Sequence, residues 1–404
     1  MFNLTYEFKL KPTGSQSAMF EEWLETHRRV YNYALAERKD WYKSRSCRVN
    51  ACSLKHEYII SADAPRPTFA IQCKSLTAVR KNNEYLKRVN AQSLQQTLKR
   101  IEKAFVSMWE QNHGFPRFKK PGQMRSFSFP QLSQNSVVNG VVKLPVIGAV
   151  KMRQSRKIPN GGTIKQGRVV KRVSGWYVML TIQWEVDIPT VMPYGDAVGI
   201  DVGLTSFVAT SNGLLIKRPK FFVDAERKLK LLQQRVSRKR LGSNNWKKAQ
   251  RKVARLHEYV ANCRKDWHRK LAHQLCDNVG MVFVEDLNLV GLSRGMFGKH
   301  CLDAGFGQFF NILGQTCLKR DVYFQKVDSR KTSQICPSCG VVTGKKELSK
   351  RIHVCSDCGY TTNRDVAAAQ VVLIRGLAAV GHTVKMLAEG KFVGIPVTQE
   401  SSYL

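Results

Sequence analysis

Alternating apolar and polar positions open the chain. Leu4, Tyr6, Phe8 and Leu10 fall on one side of an extended segment, Asn3 to Leu10, and Pro12-Thr13-Gly14 ends it. The period then becomes helical. Phe20, Trp23, Leu24, His27, Val30, Tyr31, Tyr33 and Ala34 form one face of a helix predicted from about Ser15 to Lys43. A less regular stretch, broken by Pro65 and Pro67, runs to about Gln72. From Lys74 to Gln111 the helical steps return through Leu94, Leu98, Ile101, Ala104, Phe105 and Met108, and the two blocks read as one all-α unit.

At Gly114 the pattern turns to strands. Phe115-Pro116-Arg117-Phe118-Lys119-Lys120 is an extended basic-aromatic segment, and Ser126-Phe127-Ser128-Phe129 alternates. Val141 to Pro145, Ala149 to Met152 and two or three strands between Thr163 and Val186 follow. Short strands at this spacing predict a β-barrel. The first strand belongs to it, which makes the helical block an insertion. From Asp196 the pattern is α/β: strands at Ala197 to Gly203 and Ser206 to Thr210, an Asn212-Gly213 turn, and a third strand to Lys217. Two long helices are predicted between Val223 and Val279, then a buried strand from Met281 to Glu285. A helix from Asp303 to Lys319, a strand from Val322 to Val327 and a helix from Arg364 to Arg375 follow. From about Gly376 the chain reads as a weakly ordered tail.

Composition changes the picture through charge. An apolar fraction of 43% is ordinary, but 66 Lys and Arg against 30 Asp and Glu leave +36, an excess that calls for a polyanionic partner. A membrane surface also attracts cations, yet there is no signal peptide, no lipidation motif and no apolar run of about 18 residues. Nucleic acid is the expected partner, and RNA scaffolding of a ribosomal kind stays open. Eleven cysteines without a secretion signal imply a reducing cytosol. Seven of them (Cys47, Cys52, Cys73, Cys263, Cys276, Cys301, Cys317) show no metal-binding spacing and read as small buried or half-buried thiols.

The other four do show it. Cys336-x-x-Cys339 and Cys355-x-x-Cys358, each followed by a glycine (Gly340, Gly359), have the spacing of a structural zinc ribbon over about Ser329 to Tyr360. Four sulfurs complete a closed tetrahedron, so His353 between the pairs reads as a surface residue.

Three acids carry the candidate chemistry. Asp201 ends the apolar strand Gly199-Ile200-Asp201-Val202-Gly203, whose glycines would let a phosphate or metal approach. Glu285 ends Val282-Phe283-Val284, and Asp365 opens the helix after the ribbon. Alone, each has an ordinary explanation: a turn cap, a salt-bridged strand end, an acid favoured by a helix dipole. Together, in strand–strand–helix order, they describe a ribonuclease-H-like core holding two magnesium ions for phosphodiester hydrolysis.

These residues match a family. Gly199-Ile200-Asp201-Val202-Gly203, Val284-Glu285-Asp286-Leu287-Asn288, Thr332-Ser333-Gln334-x-Cys336-x-x-Cys339-Gly340 and Arg364-Asp365 with its alanines resemble TnpB, the transposon-encoded RNA-guided nucleases related to compact type V CRISPR effectors. Gly114 to Lys119 and Arg29-Val30-Tyr31-Asn32-Tyr33 add to the likeness. The resemblance implies a multidomain α+β chain. A wedge barrel would comprise 1–14 and 114–195, with a helical recognition lobe at 15–113. A RuvC-like nuclease would comprise 196–328 and 363–376, with a target-nucleic-acid-binding zinc ribbon at 329–362 and a tail at 377–404. It implies Asp201, Glu285 and Asp365 as catalytic residues binding Mg2+ or Mn2+, and one structural Zn2+. A guide RNA from the transposon end and double-stranded target DNA would be the partners. A monomer with its RNA, acting on nucleoid DNA in prokaryotic cytoplasm, is expected. One departure is Asp266-Trp267-His268-Arg269-Lys270, where many members read Asp-Phe-x-His-Lys; altered phosphate contacts are expected from it.

Residues Lys217 to Arg255 hold fifteen Lys or Arg. Arg235, Arg238, Lys239 and Arg240, then Lys247, Lys248, Arg251 and Lys252, are expected to form a track for a phosphate backbone, with Lys119, Lys120 and Arg364 as further contacts. A solvated helical face is the bland alternative for any one of them, and Phe115 and Phe118 fit a barrel core as well as they fit base stacking. An RNA-guided DNA endonuclease leads. A CRISPR effector, a non-cleaving RNA-guided repressor and a DNA-joining transposase are the competing classes, the last two fitting the intact acids or the domain plan less well.

Overall fold

The computed structural model describes residues 2–46, 60–61, 63–186, 190–347, 349–386 and 392–396, and Cys47 and Cys52 lie outside them. It divides into two compact units, Met1–Ile188 and Pro189–Leu404.

In the first unit, β1 (Phe2–Lys11) lies inside a seven-stranded sheet with β2 (Ser126–Phe129), β3 (Val137–Val138), β4 (Val141–Leu144), β5 (Gly148–Arg153), β6 (Thr163–Arg172) and β7 (Gly175–Trp184). The order is β2-β6-β7-β1-β5-β4-β3, and every neighbouring pair is antiparallel. Among the described residues no ladder joins β2 to β3, and the described pairings are those of a seven-stranded antiparallel sheet. Among the described residues four helices accompany it: α1 (Gly14–Ser46), α2 (Phe69–Lys81), α3 (Glu84–Lys87) and α4 (Ala91–Glu110).

The continuous helix expected from Lys74 is cut where asparagines cap new starts. Asn83 accepts the Leu86 N–H and Asn90 accepts the Ser93 N–H. Helices and sheet share one apolar core, in which Phe20 and Trp23 of α1 and Leu98 and Phe105 of α4 meet Phe8, Phe127 and Phe129. Tyr33 misses that stripe and stands 74% exposed, because its angular position on α1 lies away from the sector holding Val30, Tyr31 and Ala34. Buried His27 bonds Thr97 and Ser93 through its two ring nitrogens, and burial holds its pKa down at about 3.

The second unit is built on a five-stranded sheet of β8 (Ala197–Asp201), β9 (Ser206–Thr210), β10 (Leu215–Lys217), β11 (Met281–Asp286) and β12 (Tyr323–Asp328). Its order is β10-β9-β8-β11-β12; β8, β11 and β12 are parallel, and β9 and β10 fold back antiparallel. Long helices α5 (Phe221–Ser237) and α6 (Asn244–Leu275) leave the sheet after β10. Short α7 (Leu289–Arg294) and α8 (Gly298–Ala304) precede α9 (Phe306–Lys319), and α10 (Arg364–Ala379) follows the ribbon. Gly305, at φ 68°, separates α8 from α9, which is why the single helix expected from Asp303 is two.

One face of the sheet packs on Leu271, Leu275, Phe309 and Leu313 of α6 and α9; the other takes Val372, Leu373 and Leu377 of α10. That second approach is close. A Cβ on Gly199 would lie 2.1 Å from the Ala369 carbonyl oxygen, so this glycine serves helix packing rather than access for a metal or phosphate. The ribbon carries β13 (Ile352–Val354) and β14 (Thr361–Asn363), an antiparallel pair. Beyond α10, in the stretch expected as a weakly ordered tail, the chain forms a further hairpin, β15 (His382–Met386) with β16 (Phe392–Pro396).

Candidate active site and thiol cluster

The parallel register fixes two of the three acids. Ile200 pairs with Val284, so Asp201 and Glu285 are the next residues on neighbouring strands and leave the sheet at the same end. Asp365 comes from α10, whose first turn is set by Asn363: its side-chain oxygen accepts the Asp365 N–H at 2.9 Å. The structure thus brings the three together. Asp201 keeps part of its surface open, yet dense protein surrounds its carboxyl. Burial first, then the charges of Glu285 and Asp365, push its pKa well up, against the Val202 N–H and Arg364. Glu285 is 5% exposed, and burial raises its pKa too, opposed by a hydrogen bond from Thr332 and by Arg375.

Three carboxyl groups gathered in dense protein, with Arg364, Arg375 and Arg351 only partly offsetting them, make a site that a cation would relieve. Among the described residues only the four cysteines form a group of at least three ligand atoms within 4.8 Å of one another, so the acids are more widely spread.

The thiols are tighter. Cys336 and Cys358 sulfurs lie 3.7 Å apart, and Cys339 and Cys355 3.6 Å. The edge of a tetrahedron with metal–sulfur bonds of about 2.3 Å is about 3.8 Å, so the donor set fits zinc. Both knuckles are built alike. Gly340 and Gly359, at φ 78° and 69°, donate their N–H to the carbonyls of Cys336 and Cys355, while the N–H groups of those cysteines bond Val341 and Tyr360. His353 is no surface residue. It is 1% exposed, with Nδ1 facing the Lys346 ammonium and its ring near Tyr360, because β13 turns it inward.

Of the expected nucleic-acid contacts, Arg235, Arg238, Lys239, Arg240, Lys247, Lys248, Arg251 and Lys252 are all exposed around the α5–α6 turn. Arg364 donates from Nη1 to the Glu347 carbonyl at 2.8 Å, which ties it to the ribbon. In the first unit Lys119 is held by its backbone: Asn32 donates to its carbonyl and accepts its N–H, at 2.9 and 2.8 Å. Its ammonium lies 5.5 Å from the Tyr31 ring centroid, and Lys120 is exposed. Phe115 and Phe118 are 40% and 44% exposed and lie outside the sheet core. In the departing motif His268 is buried, bonded to the Ala304 carbonyl, with its pKa depressed to about 4 mainly by burial, while Arg269 faces solvent.

Three residues here carried no assignment from the sequence. Thr332 bonds Glu285, and Arg351 stands 3.9 Å from Asp365. Buried Arg218 pairs with Asp303, whose other oxygen accepts the Phe222 N–H at the start of α5. Only Thr332 lay in a recognisable motif.

A β10-β9-β8-β11-β12 sheet, acids on two of its parallel strands and on the helix behind it, and a four-cysteine ribbon before that helix make a mixed α/β unit with the strand order of ribonuclease-H-like proteins. Residues 181–295 match a family model described as "Probable transposase", 306–372 one described as "Cas12f1-like, TNB domain", and 1–47 one described as "Helix-turn-helix domain". Over that last range the structure has β1 and one continuous helix. The chain is 30% identical to the "Putative RNA-guided DNA endonuclease InsQ" of Escherichia coli (strain K12), across 98% of this chain and 96% of that one. It is 31% identical to a "Putative RNA-guided DNA endonuclease" of Streptomyces pristinaespiralis, across 93% and 89%. The chain belongs to this family, the TnpB-type proteins of IS605 elements. Its fold is similar to that of Cas12f1 in a complex with guide RNA and target DNA, with a TM-score of 0.54 at 15% identity over 89% of this chain and 83% of that one.

Proposed function

We propose that the chain is an RNA-guided DNA endonuclease of an insertion sequence, cutting DNA beside a short transposon-adjacent motif. The observation that carries this is the convergence of Asp201, Glu285 and Asp365 at one end of the β8–β11 pair. Family membership supplies the guide: base pairing reads the target while the protein holds the backbone. The three carboxylates would hold two Mg2+ or Mn2+ ions, which when bound stabilise the attacking and departing oxygens of an in-line displacement. The chain's own part is to fix the acids on two rigid strands and a capped helix, and to present the exposed cations of the α5–α6 turn to phosphates.

On this reading 1–14 and 114–195 form the wedge, closing as a barrel, 15–113 the recognition lobe, and 329–362 a zinc-bound target-binding insertion. The protein works as a monomer with its RNA, on nucleoid DNA in the prokaryotic cytoplasm. The test is to co-express the chain with its transposon end and sequence the retained RNA. A double-stranded DNA matching that RNA is then challenged in Mg2+. Guide-dependent cutting is expected. Cutting that ignores the guide, or none with intact RNA bound, would remove the reading.

A further inference from the structure

Between β12 and the first zinc knuckle the chain makes one short turn, Thr332–Gln334, entered through Lys331 in a left-handed conformation at φ 57°. The turn is fastened to the ribbon. The Gln334 carbonyl accepts both the N–H and the hydroxyl of Thr343, at 2.7 and 3.0 Å, and the Cys336 N–H bonds Val341 at 2.9 Å. From this anchored turn Thr332 reaches into the acid cluster. It is 5% exposed, and its hydroxyl donates to Oε1 of Glu285; its other near acceptor, the Ser329 carbonyl, is 3.4 Å away.

A glutamate at a strand end still has three side-chain torsions to settle. A buried donor on one oxygen fixes the carboxyl plane and leaves the second oxygen for a cation. A neutral hydroxyl does this without cancelling the negative charge that a cation needs, which a lysine or arginine in its place would do.

We propose that Thr332 is a positioning residue for the nuclease metal site, holding Glu285 in its ion-binding orientation from a turn braced by the zinc ribbon. This rests on the two-ion reading above. The test uses the full chain as purified with its RNA, and compares Thr332→Val, which keeps the shape and removes the donor, with Thr332→Ser, which keeps the donor. Mn2+ binding is read by electron paramagnetic resonance against an Asp365→Ala background correction for ions on RNA. Single-turnover cutting is followed as Mg2+ is raised, and zinc is counted in each variant.

Thr332→Val should raise the half-saturating Mn2+ and Mg2+ concentrations about 10- to 100-fold with zinc retained, and Thr332→Ser should return them to within about twofold. Wild-type Mn2+ binding in Thr332→Val overturns the proposal. So does a Thr332→Ser chain that keeps zinc and still binds Mn2+ as weakly as Thr332→Val, and this arm decides the matter even where the valine variant folds poorly. Failure of the two-ion reading looks different: Glu285→Gln would then cut and bind Mn2+ like wild type.

Discussion

Asp201 holds its proton above the usual carboxylate range because it sits in dense protein beside two other acids. An acid whose folded pKa exceeds its unfolded one favours the fold at low pH and loses that contribution as pH rises through the folded value. Without Mg2+ the chain should therefore lose stability as pH climbs past the ordinary carboxylate range, about 4, through the raised values of Asp201 and Glu285. Asp201→Asn should flatten that fall and raise the midpoint at neutral pH by about 2–4 °C for each kcal/mol relieved. Thermal denaturation across pH in Mg2+-free buffer checks it, and an unchanged slope would mean the acids do not repel one another. On the proposed two-ion reading the same residues are needed in the loaded complex. Asp201→Ala, Glu285→Ala and Asp365→Ala should each lower the cleavage rate by about a thousandfold or more while RNA and target still bind, and the losses should not add, since the three act as one unit.

At the scale of elements the ribbon and the basic hairpin make separate demands. Replacing Cys336 and Cys339 by Ser should release one zinc per chain and cut activity indirectly, through the turn and the β13–β14 pair that lead into α10; metal analysis beside a cleavage assay tests it. Neutralising Arg238, Lys239 and Arg240 should weaken binding to all sequences alike and flatten the slope of log affinity against log salt by about 2–3. A salt titration with an unchanged slope would leave these side chains as a solvated face. The strands and long helices were legible because alternation and three-four spacing survive in the sequence wherever a face is buried. Asp201 and Glu285 drew notice by interrupting apolar strands.

What could not be read has its own physical cause. The breaks at Asn83 and Asn90 turn on single side-chain caps inside an otherwise helical rhythm. The Thr332–Glu285 and Arg218–Asp303 contacts join residues far apart in sequence, and no period announces them. His353 reads as exposed because four thiolates leave it no metal to bind, yet a β-strand side chain two positions before a zinc ligand can face inward as readily as outward.

For the whole molecule the charge of +36 is the dominant fact. Without its polyanion the chain repels itself, and added salt screens that repulsion. The RNA-free protein should melt higher as salt rises, whereas the RNA complex should melt lower as its phosphate contacts weaken; paired melting curves that moved in the same direction would contradict this. One feature of the first unit bears on how the molecule is made. β1 finds its long partner only in β7, with Phe2 against Trp184 and Lys9 against Tyr177. At about 5–20 residues per second a ribosome needs on the order of 10–30 s between the two strands. For most of that time, until β5 and then β7 emerge, a strand with an apolar side has no sheet partner, and α1 to α4 lack the sheet that completes their core. Birth of this protein is thus a waiting period, in which chaperones have a bare strand to guard.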